Sequence, residues 1–173
     1  MPSAVPAVTR NLRDGVIRVM DGSGTPKTLK IKISDGDFSY KVNKPTSIIM
    51  NRGIIDSRKK GDEKATDISF TVKFEQWSFD NADAGISIYD ALNGVGGATS
   101  WVSTDGCGPF SVDLMFEMIN PCDPTKSEQL IFRKFHADSV DFKEGNETNT
   151  LTVSGNALVG EPDRDYANVF VDA

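Results

Sequence analysis

The sequence has a single histidine and two cysteines among its 173 residues, which restricts the chemistry it can perform. A Ser-His-Asp or Cys-His mechanism would have to use His136, and no serine lies in a nucleophile elbow. One histidine and the distant Cys107 and Cys122 do not have the spacing of a zinc site, and the acidic turns lack the calcium-loop pattern. We therefore expect no catalytic residue, no bound metal and no cofactor.

Long apolar runs are also missing. No segment approaches the ~20 residues of a membrane-spanning helix, and "MPSAVPAVTRNLRD" does not have the charged-then-apolar order of a secretory signal. We expect one soluble domain, residues 1–173, made in the cytoplasm. The strand predicted between Cys107 and Cys122 would hold its ends about 33 Å apart, too far for a disulfide within the chain. Pairing between chains stays open.

Positive charge is scarce as well. The 19 Lys and Arg residues are outnumbered by 25 Asp and Glu residues, which gives a net charge of −6 and a pI of about 4.8. Such a surface repels phosphate groups, so tight binding of nucleic acid would need a local basic patch.

Alternation of apolar and polar residues is the pattern that dominates the chain. In "ISFTVKFE", for example, Phe70, Val72 and Phe74 fall on one face and polar residues on the other. Period two with one polar face is typical of antiparallel, half-solvated sheets, and turn signals such as "DGD" at 35–37 separate the runs. Strands are predicted at Val16–Met20, 28–34, Phe38–Val42, 68–75, Thr99–Ser103, 110–118, Glu128–Phe135, Val140–Lys143 and 150–159.

One stretch has helical spacing instead. "NADAGISIYDALNG" places Ser87 three residues before Asp90, as in a capping box, and Gly94 where a helix would end. We predict a helix over 84–93. The fold class is then all-β with one short helix, an antiparallel β-sandwich.

A charged segment, "DSRKKGDEK" at Asp56–Lys64, lies between two strand-like arms, Thr46–Ser57 and Ala65–Phe79. The shorter arm would span about 40 Å, so one small sandwich cannot cover a protruding hairpin over 46–79. Its edges would need strands from neighbouring subunits, closed into a ring as an inter-subunit β-barrel. Two alternatives stay open: "NRG" at 51–53 is itself a hairpin loop with Gly53 left-handed, or the charged segment is merely a solvated loop.

Together these features resemble the major tail tube proteins of tailed bacteriophages. The resemblance rests on the single sandwich with one helix, the hairpin with a charged tip, the acidic balance, and the segments "TDISFTVKFEQWS", "ISIYDALNG" and "FRKFHADSVDF". It implies a virion structural protein of the tail, assembled in the host bacterial cytoplasm. Six copies would form a ring, rings would stack into a tube, and DNA would pass through the channel without tight binding. Tape-measure, sheath, baseplate and terminator proteins would be further partners.

Within this resemblance, alternation suggests a role for three groups of residues. The candidates for the channel lining are Ser69, Thr71, Lys73, Glu75, Asp113 and Glu117. The candidates for the contact between rings are Arg58, Lys59, Lys60, Asp62, Glu63 and Lys64. The N-terminal arm 1–14 and the C-terminal tail 164–173, with Val169, Phe170 and Val171, would tie subunits together.

Three other functions fit the same pattern. One is the inner tube of a type VI secretion or extracellular contractile injection system, which carries protein cargo. Another is a tail terminator or baseplate component that forms one ring only. The third is a carbohydrate-binding β-sandwich, in which Trp77 and Trp101 would stack on sugars.

Overall fold

The computed structural model of the protein describes residues 15–74, 86–118, 128–145 and 149–165, apart from the side chains of 32–37, 73–74 and 165. No helix in these ranges is long and apolar enough to cross a membrane. The elements are β1 (Gly15–Met20), β2 (Thr28–Lys41), β3 (Thr46–Asn51), β4 (Ile54–Lys60), β5 (Thr66–Phe74), α1 (Ile88–Asn93), a 3₁₀ turn (Gly96–Ala98), β6 (Val112–Met118), β7 (Glu128–Lys143), β8 (Asn149–Ala157) and β9 (Asp163–Asp165).

Seven strands form one antiparallel sheet in the order β6-β1-β2-β5-β8-β7-β9, and β3 pairs with β4 in a separate two-stranded sheet. The long strand β7 pairs through its first half with β6 and through its second half with β8. Lys134, at a φ of 54°, lies between the two halves. The sheet therefore folds over on itself, and Phe38 of β2 packs across the interior against Phe132 of β7, with ring centroids 5.9 Å apart. The predicted all-β fold with one short helix is confirmed.

The core lies between the two layers and contains the residues that alternation placed on the apolar faces. Phe70, Val72, Leu114, Leu151 and Val153 are all at most 3% exposed. Each of these large apolar side chains contributes about 1.5–3 kcal/mol to the free energy of folding through its burial.

Helix α1 covers one part of this core and begins with the predicted capping box. The Ser87 hydroxyl accepts a hydrogen bond from the Asp90 backbone N–H at 3.1 Å, and the Asp90 carboxylate accepts one from the Ser87 N–H at 3.4 Å. Gly94 then ends the helix in the left-handed region at a φ of 63°. The helix begins at Ile88, so the described residues 86–87 of the predicted helix 84–93 precede it, and residues 84–85 lie outside the described residues.

Four of the predicted strands merge in pairs into two longer ones, with 28–34 and Phe38–Val42 joined in β2. "DGD" at 35–37 is part of β2, and Glu128–Phe135 and Val140–Lys143 belong to the single strand β7. In both strands the register shifts, which shows that a bulge rather than a turn absorbs the extra residues. Thr99–Ser103 is a loop, in which Trp101 faces the core at 6% exposure.

Asp21 joins this loop to the turn between β1 and β2. Its carboxylate accepts hydrogen bonds from the Ser23 hydroxyl at 2.8 Å, from the Lys27 N–H at 2.7 Å and from the Val102 N–H at 3.2 Å. Burial by itself would raise the pKa of Asp21, but these hydrogen bonds outweigh it and lower the pKa below the ordinary value of 3.8.

Replacing this carboxylate should therefore weaken the fold in a pH-dependent way. We expect Asp21→Asn to lower the free energy of unfolding at pH 7 by about 1–3 kcal/mol, because an amide group replaces one of the carboxylate oxygens and its donors lose their acceptor. Because the pKa of Asp21 is lower in the native state than in the unfolded state, the carboxylate contributes its full stabilisation at pH values above the unfolded-state pKa. This stabilisation is lost as the pH falls through the native-state pKa. Urea denaturation at decreasing pH measures this. The exposed Asp62→Asn is the control, and a pH-independent difference for Asp21→Asn would contradict the assignment.

Candidate assembly surfaces

The two-stranded sheet of β3 and β4 is a hairpin, and its turn decides between the two interpretations of this segment. Arg52 and Gly53, at φ values of 51° and 80°, form a two-residue turn between the paired residues Asn51 and Ile54. Two successive positive φ values are typical of the tight turns that join antiparallel strands. The predicted long arm over 46–57 was therefore wrong, since the chain reverses within it. The alternative is correct in placing a turn at "NRG" with Gly53 left-handed, although the loop has two residues rather than three. Residues 75–79 of the predicted hairpin lie outside the described residues.

This hairpin, residues 46–60, is exposed along its whole length although much of it is apolar. On one face Met50 lies opposite Ile55, with Ile48 on the same side, and on the other face lie Ile49 and Ile54. Their exposures range from 43% at Ile49 to 73% at Ile54. A solvent-exposed two-stranded hairpin has marginal stability by itself, and apolar side chains on both of its faces mark a surface that a partner covers.

The charged residues predicted at the tip lie in β4 and at the base of the hairpin instead. Arg58, Lys59 and Lys60 end β4, whereas Asp62, Glu63 and Lys64 lie in the return to β5. The charge run does not form the turn because the Arg52-Gly53 pair already reverses the chain.

At this base the Gly61 N–H donates to the Pro45 carbonyl at 2.8 Å, so the two ends of the hairpin nearly touch. Lys44 forms an ion pair with Glu161, and its hydrogen bond and charge lower the pKa of Glu161.

A second surface is a four-stranded sheet, defined as residues 38–41 of β2, then β5, β8 and residues 139–143 of β7. Within the described ranges, residues 38–41 pair only with β5 and residues 139–141 pair only with β8. Both outer strands therefore present an open edge, which is a template for pairing with a further strand.

The face of this sheet that points away from the core is polar and rich in hydroxyl groups. Ser39, Ser69, Ser154 and Ser139 occupy the four strands in register. The hydroxyl oxygens of Thr71 and Thr152, on the next row, are 3.2 Å apart. The predicted channel residues Ser69 and Thr71 thus lie together on one polar face. Lys73 belongs to β5 but its side chain is not described, and Glu75 lies outside the described residues.

Asp113 and Glu117 lie elsewhere, on β6 in the other layer. Alternation predicted an accessible polar face, but the two residues are only 8% and 4% exposed. Asp113 accepts a hydrogen bond from Arg133 at 2.7 Å and Glu117 accepts one from Arg18 at 3.3 Å. The hydrogen bond to Asp113 raises the pKa of Arg133. These carboxylates are buried partners of arginines, and we no longer count them among the channel residues.

The remaining candidate site residues either make contacts within the fold or lie outside the described ranges. The Nδ1–H of His136 donates to the carbonyl oxygen of Phe110 at 2.8 Å. Trp101 is buried in the core and offers no face to a sugar. The described residues contain no group of three potential metal ligands. The residues outside the described ranges include Trp77, Cys122, the arm 1–14, and Val169, Phe170 and Val171 in the tail.

The sequence analysis missed most of the polar face. Ser39, Ser139 and Ser154 alternate with apolar residues in "FSYK", "SVDF" and "TVSG", so the signal was present in the sequence. Only the strand order shows that these residues share one row with Ser69.

Comparison with solved structures shows which proteins share this fold. A chain of the sheath–tube complex of PVC, an extracellular contractile injection system, superposes with a TM-score of 0.61 at 10% identity, covering 95% of both chains. A chain of the PVC sheath/tube terminator superposes with a TM-score of 0.62 at 12% identity, covering 94% of this chain and 99% of that one. A chain of the tube-terminating cap of the anti-feeding prophage gives 0.59 at 12% identity, covering 96% of this chain and 100% of that one.

The chain therefore shares the fold of proteins from phage-tail-like injection particles over nearly its full length. The predicted resemblance to tail tube proteins is supported at the level of fold. No protein-family model and no curated protein sequence matches the chain.

If the hairpin is an assembly surface, its apolar side chains should add little to the stability of one subunit. We expect the double variant Ile54→Ser/Ile55→Ser to change the free energy of unfolding of the dilute chain by no more than about 0.5 kcal/mol, because both side chains are exposed. Phe70→Ala, which removes a fully buried ring, should cost about 3–5 kcal/mol and serves as the comparison. Urea denaturation measures both. A loss above 1 kcal/mol for the double variant would place the hairpin tip against the subunit body.

Proposed function

We propose that this protein is the structural subunit of a phage-tail-like tube, in which identical copies form rings and the rings stack. The observation that carries the proposal is the exposed hairpin 46–60, whose five large apolar side chains are uncovered in the single chain. The fold similarity to chains from injection particles supports it.

The open edges of the four-stranded sheet provide the means of closing a ring. Because the sheet has an even number of antiparallel strands, β2 and β7 run in opposite directions, and the β7 edge of one copy meets the β2 edge of the next as an antiparallel pair. Each junction repeats the same head-to-tail contact, which forms a ring when the rotation closes. Six copies, the number implied by the tail tube resemblance, would contribute about 24 strands, and barrels of 16–18 strands already leave an aqueous channel.

The hairpin then covers an adjoining copy. Its two apolar faces would be buried between subunits, and Arg58, Lys59 and Lys60 along β4 would meet acidic surface, which a chain with a net charge of −6 offers in excess. This contact would link neighbouring subunits within a ring or between stacked rings.

The channel wall in this arrangement is the polar face that carries Ser69 and Thr71. Its described charged residues include two lysines, Lys41 and Lys143, and three aspartates, Asp67, Asp138 and Asp141, so the wall is not predominantly cationic. A wall of this kind would not displace the counterions of DNA and would let a duplex pass without tight binding. We propose DNA as the cargo, conducted during ejection from a virion tail, with sheath, baseplate, terminator and tape-measure proteins as partners.

A second candidate function is a ring that ends a tube rather than extends it. The similarity to terminator and cap chains favours it, because those chains share the fold equally well. A protein-conducting tube of an injection system uses the same ring and differs only in its cargo.

Removing the hairpin tests the proposal. Pro45 and Gly61 are already in hydrogen-bond contact, so residues 46–60 can be replaced by Asn-Gly without opening the sheet. Negative-stain microscopy of the wild-type chain should show hollow filaments of constant width, and the shortened variant should remain folded by circular dichroism but form none.

Arg52→Asn is the matched control, because Asn-Gly keeps the hairpin and favours the same turn, and it should assemble like the wild type. Wild-type single rings would select the terminator function. A wild-type chain that stays monomeric at every concentration, or a shortened variant that still forms long filaments, would overturn the proposed role of the hairpin.

A further inference from the structure

We infer that the ring junction has a defined register in which Lys41 on the β2 edge of one copy forms an ion pair with Asp138 on the β7 edge of the next. The partner is thus a second copy of this chain, and the inference rests on the proposed function.

The register follows from the rows of the polar face. The row of Ser39, Ser69, Ser154 and Ser139 runs straight across the four strands and ends on both open edges. If this row continues into the next copy, Ser139 lies opposite the Ser39 of its neighbour. The adjacent row runs from Lys41 through Asp67 and Asn156 to His136, and the bulge between Ala137 and Ser139 adds Asp138 at the same end.

Asp138 is held in place at this edge. The Asn156 side-chain amide donates to its carboxylate at 2.7 Å, which fixes the carboxylate on the polar face while one oxygen remains available. Asp138 itself is exposed. The bulge is the reason why an additional residue reaches this face at the edge.

Lys41 is the matching cation on the opposite edge. It is exposed, it lies on the same face as Ser39, and its side chain forms no hydrogen bond or ion pair with any described residue. Lys44, three residues further along the chain, already pairs with Glu161. The β2 edge therefore carries the Lys41 ammonium group, whose side chain has no described partner, and the β7 edge carries the Asp138 carboxylate, which Asn156 holds in place.

Opposite charges at the two edges also select the direction of assembly. In the register centred on each residue, two β2 edges would place Lys41 opposite Lys41 and two β7 edges would place Asp138 opposite Asp138, so these like pairings are repelled. The unlike pairing brings opposite charges together, and it leaves a free edge of each kind at the ends of the growing arc. The charges thus favour a closed ring over paired dimers.

Charge reversal tests this register in the full-length chain. We expect Lys41→Glu alone and Asp138→Lys alone to raise the protein concentration needed for filaments at least about tenfold, as for the loss of a close charge pair. The double variant Lys41→Glu/Asp138→Lys should restore assembly, and higher salt should weaken the wild type and the double variant alike. Light scattering against concentration, with microscopy of the products, gives the readout. Asp138→Asn, which keeps the shape of the side chain, should have a smaller effect in the same direction.

Asp141→Lys is the matched control, because Asp141 lies on the same strand and face, beyond Ser139. If Asp141→Lys rescues Lys41→Glu and Asp138→Lys does not, the register is wrong. If both single reversals assemble like the wild type, the ion pair is wrong while the tube remains. If the wild-type chain forms neither rings nor filaments, the proposed function itself fails.

Discussion

The unpaired backbone of the two open sheet edges is the constraint on which the rest of the structure depends. Residues 38–41 and 139–141 each present N–H and C=O groups on one side that pair with no strand among the described residues. Water can satisfy these groups in the free chain, but a long edge of this kind pairs readily with any available strand. Charged side chains restrict that pairing. In the proposed ring, the β2 edge of one copy would pair with the β7 edge of the next.

The two layers of the fold have different burial patterns, and strand β7 contributes to both. In the layer of β1 and β6, both faces are buried, and the pair of Arg18 and Glu117 is enclosed with side-chain exposures of 9% and 5%. Such a pair gives little net stability, yet removing one partner would leave a buried charge uncompensated. In the layer of β5 and β8, only one face is buried. The first layer thus supports the second, which keeps its polar face and its edges available.

Local chemistry made much of this fold predictable from the sequence. Alternation identified the core because a strand exposes its residues to two faces in turn, and the capping box of Ser87 and Asp90 was correct because all its atoms lie within one turn. The position of the hairpin turn was more difficult to predict. "NRG" and the charged run both have the composition of a turn, and only the positive φ values of Arg52 and Gly53 show that the chain turns at "NRG".

Pairing between residues distant in sequence explains the remaining differences between the predicted and the observed positions of the candidate site residues. Glu117 follows the alternation of an exposed position, but its arginine partner is 99 residues away in the chain. A pattern within one strand cannot show that such a partner exists. The shared row of Ser39 and Ser139 was invisible for the same reason, because strands distant in sequence are brought together by the order of the sheet.

If the proposed interface is built from sheet edges, it would also account for the combination of a shared fold with little shared sequence. Edge-to-edge pairing uses backbone groups, which every residue except proline supplies in the same geometry. Side chains then need only keep the alternation of the strands and avoid repulsion at the junction, so many sequences satisfy the same assembly. The solved chains that share this fold do so at 10–12% identity over nearly the whole length. Residues such as Lys41 and Asp138 would therefore be expected to vary as a pair among proteins of this fold, with the complementarity of charge retained and the individual residues free to change.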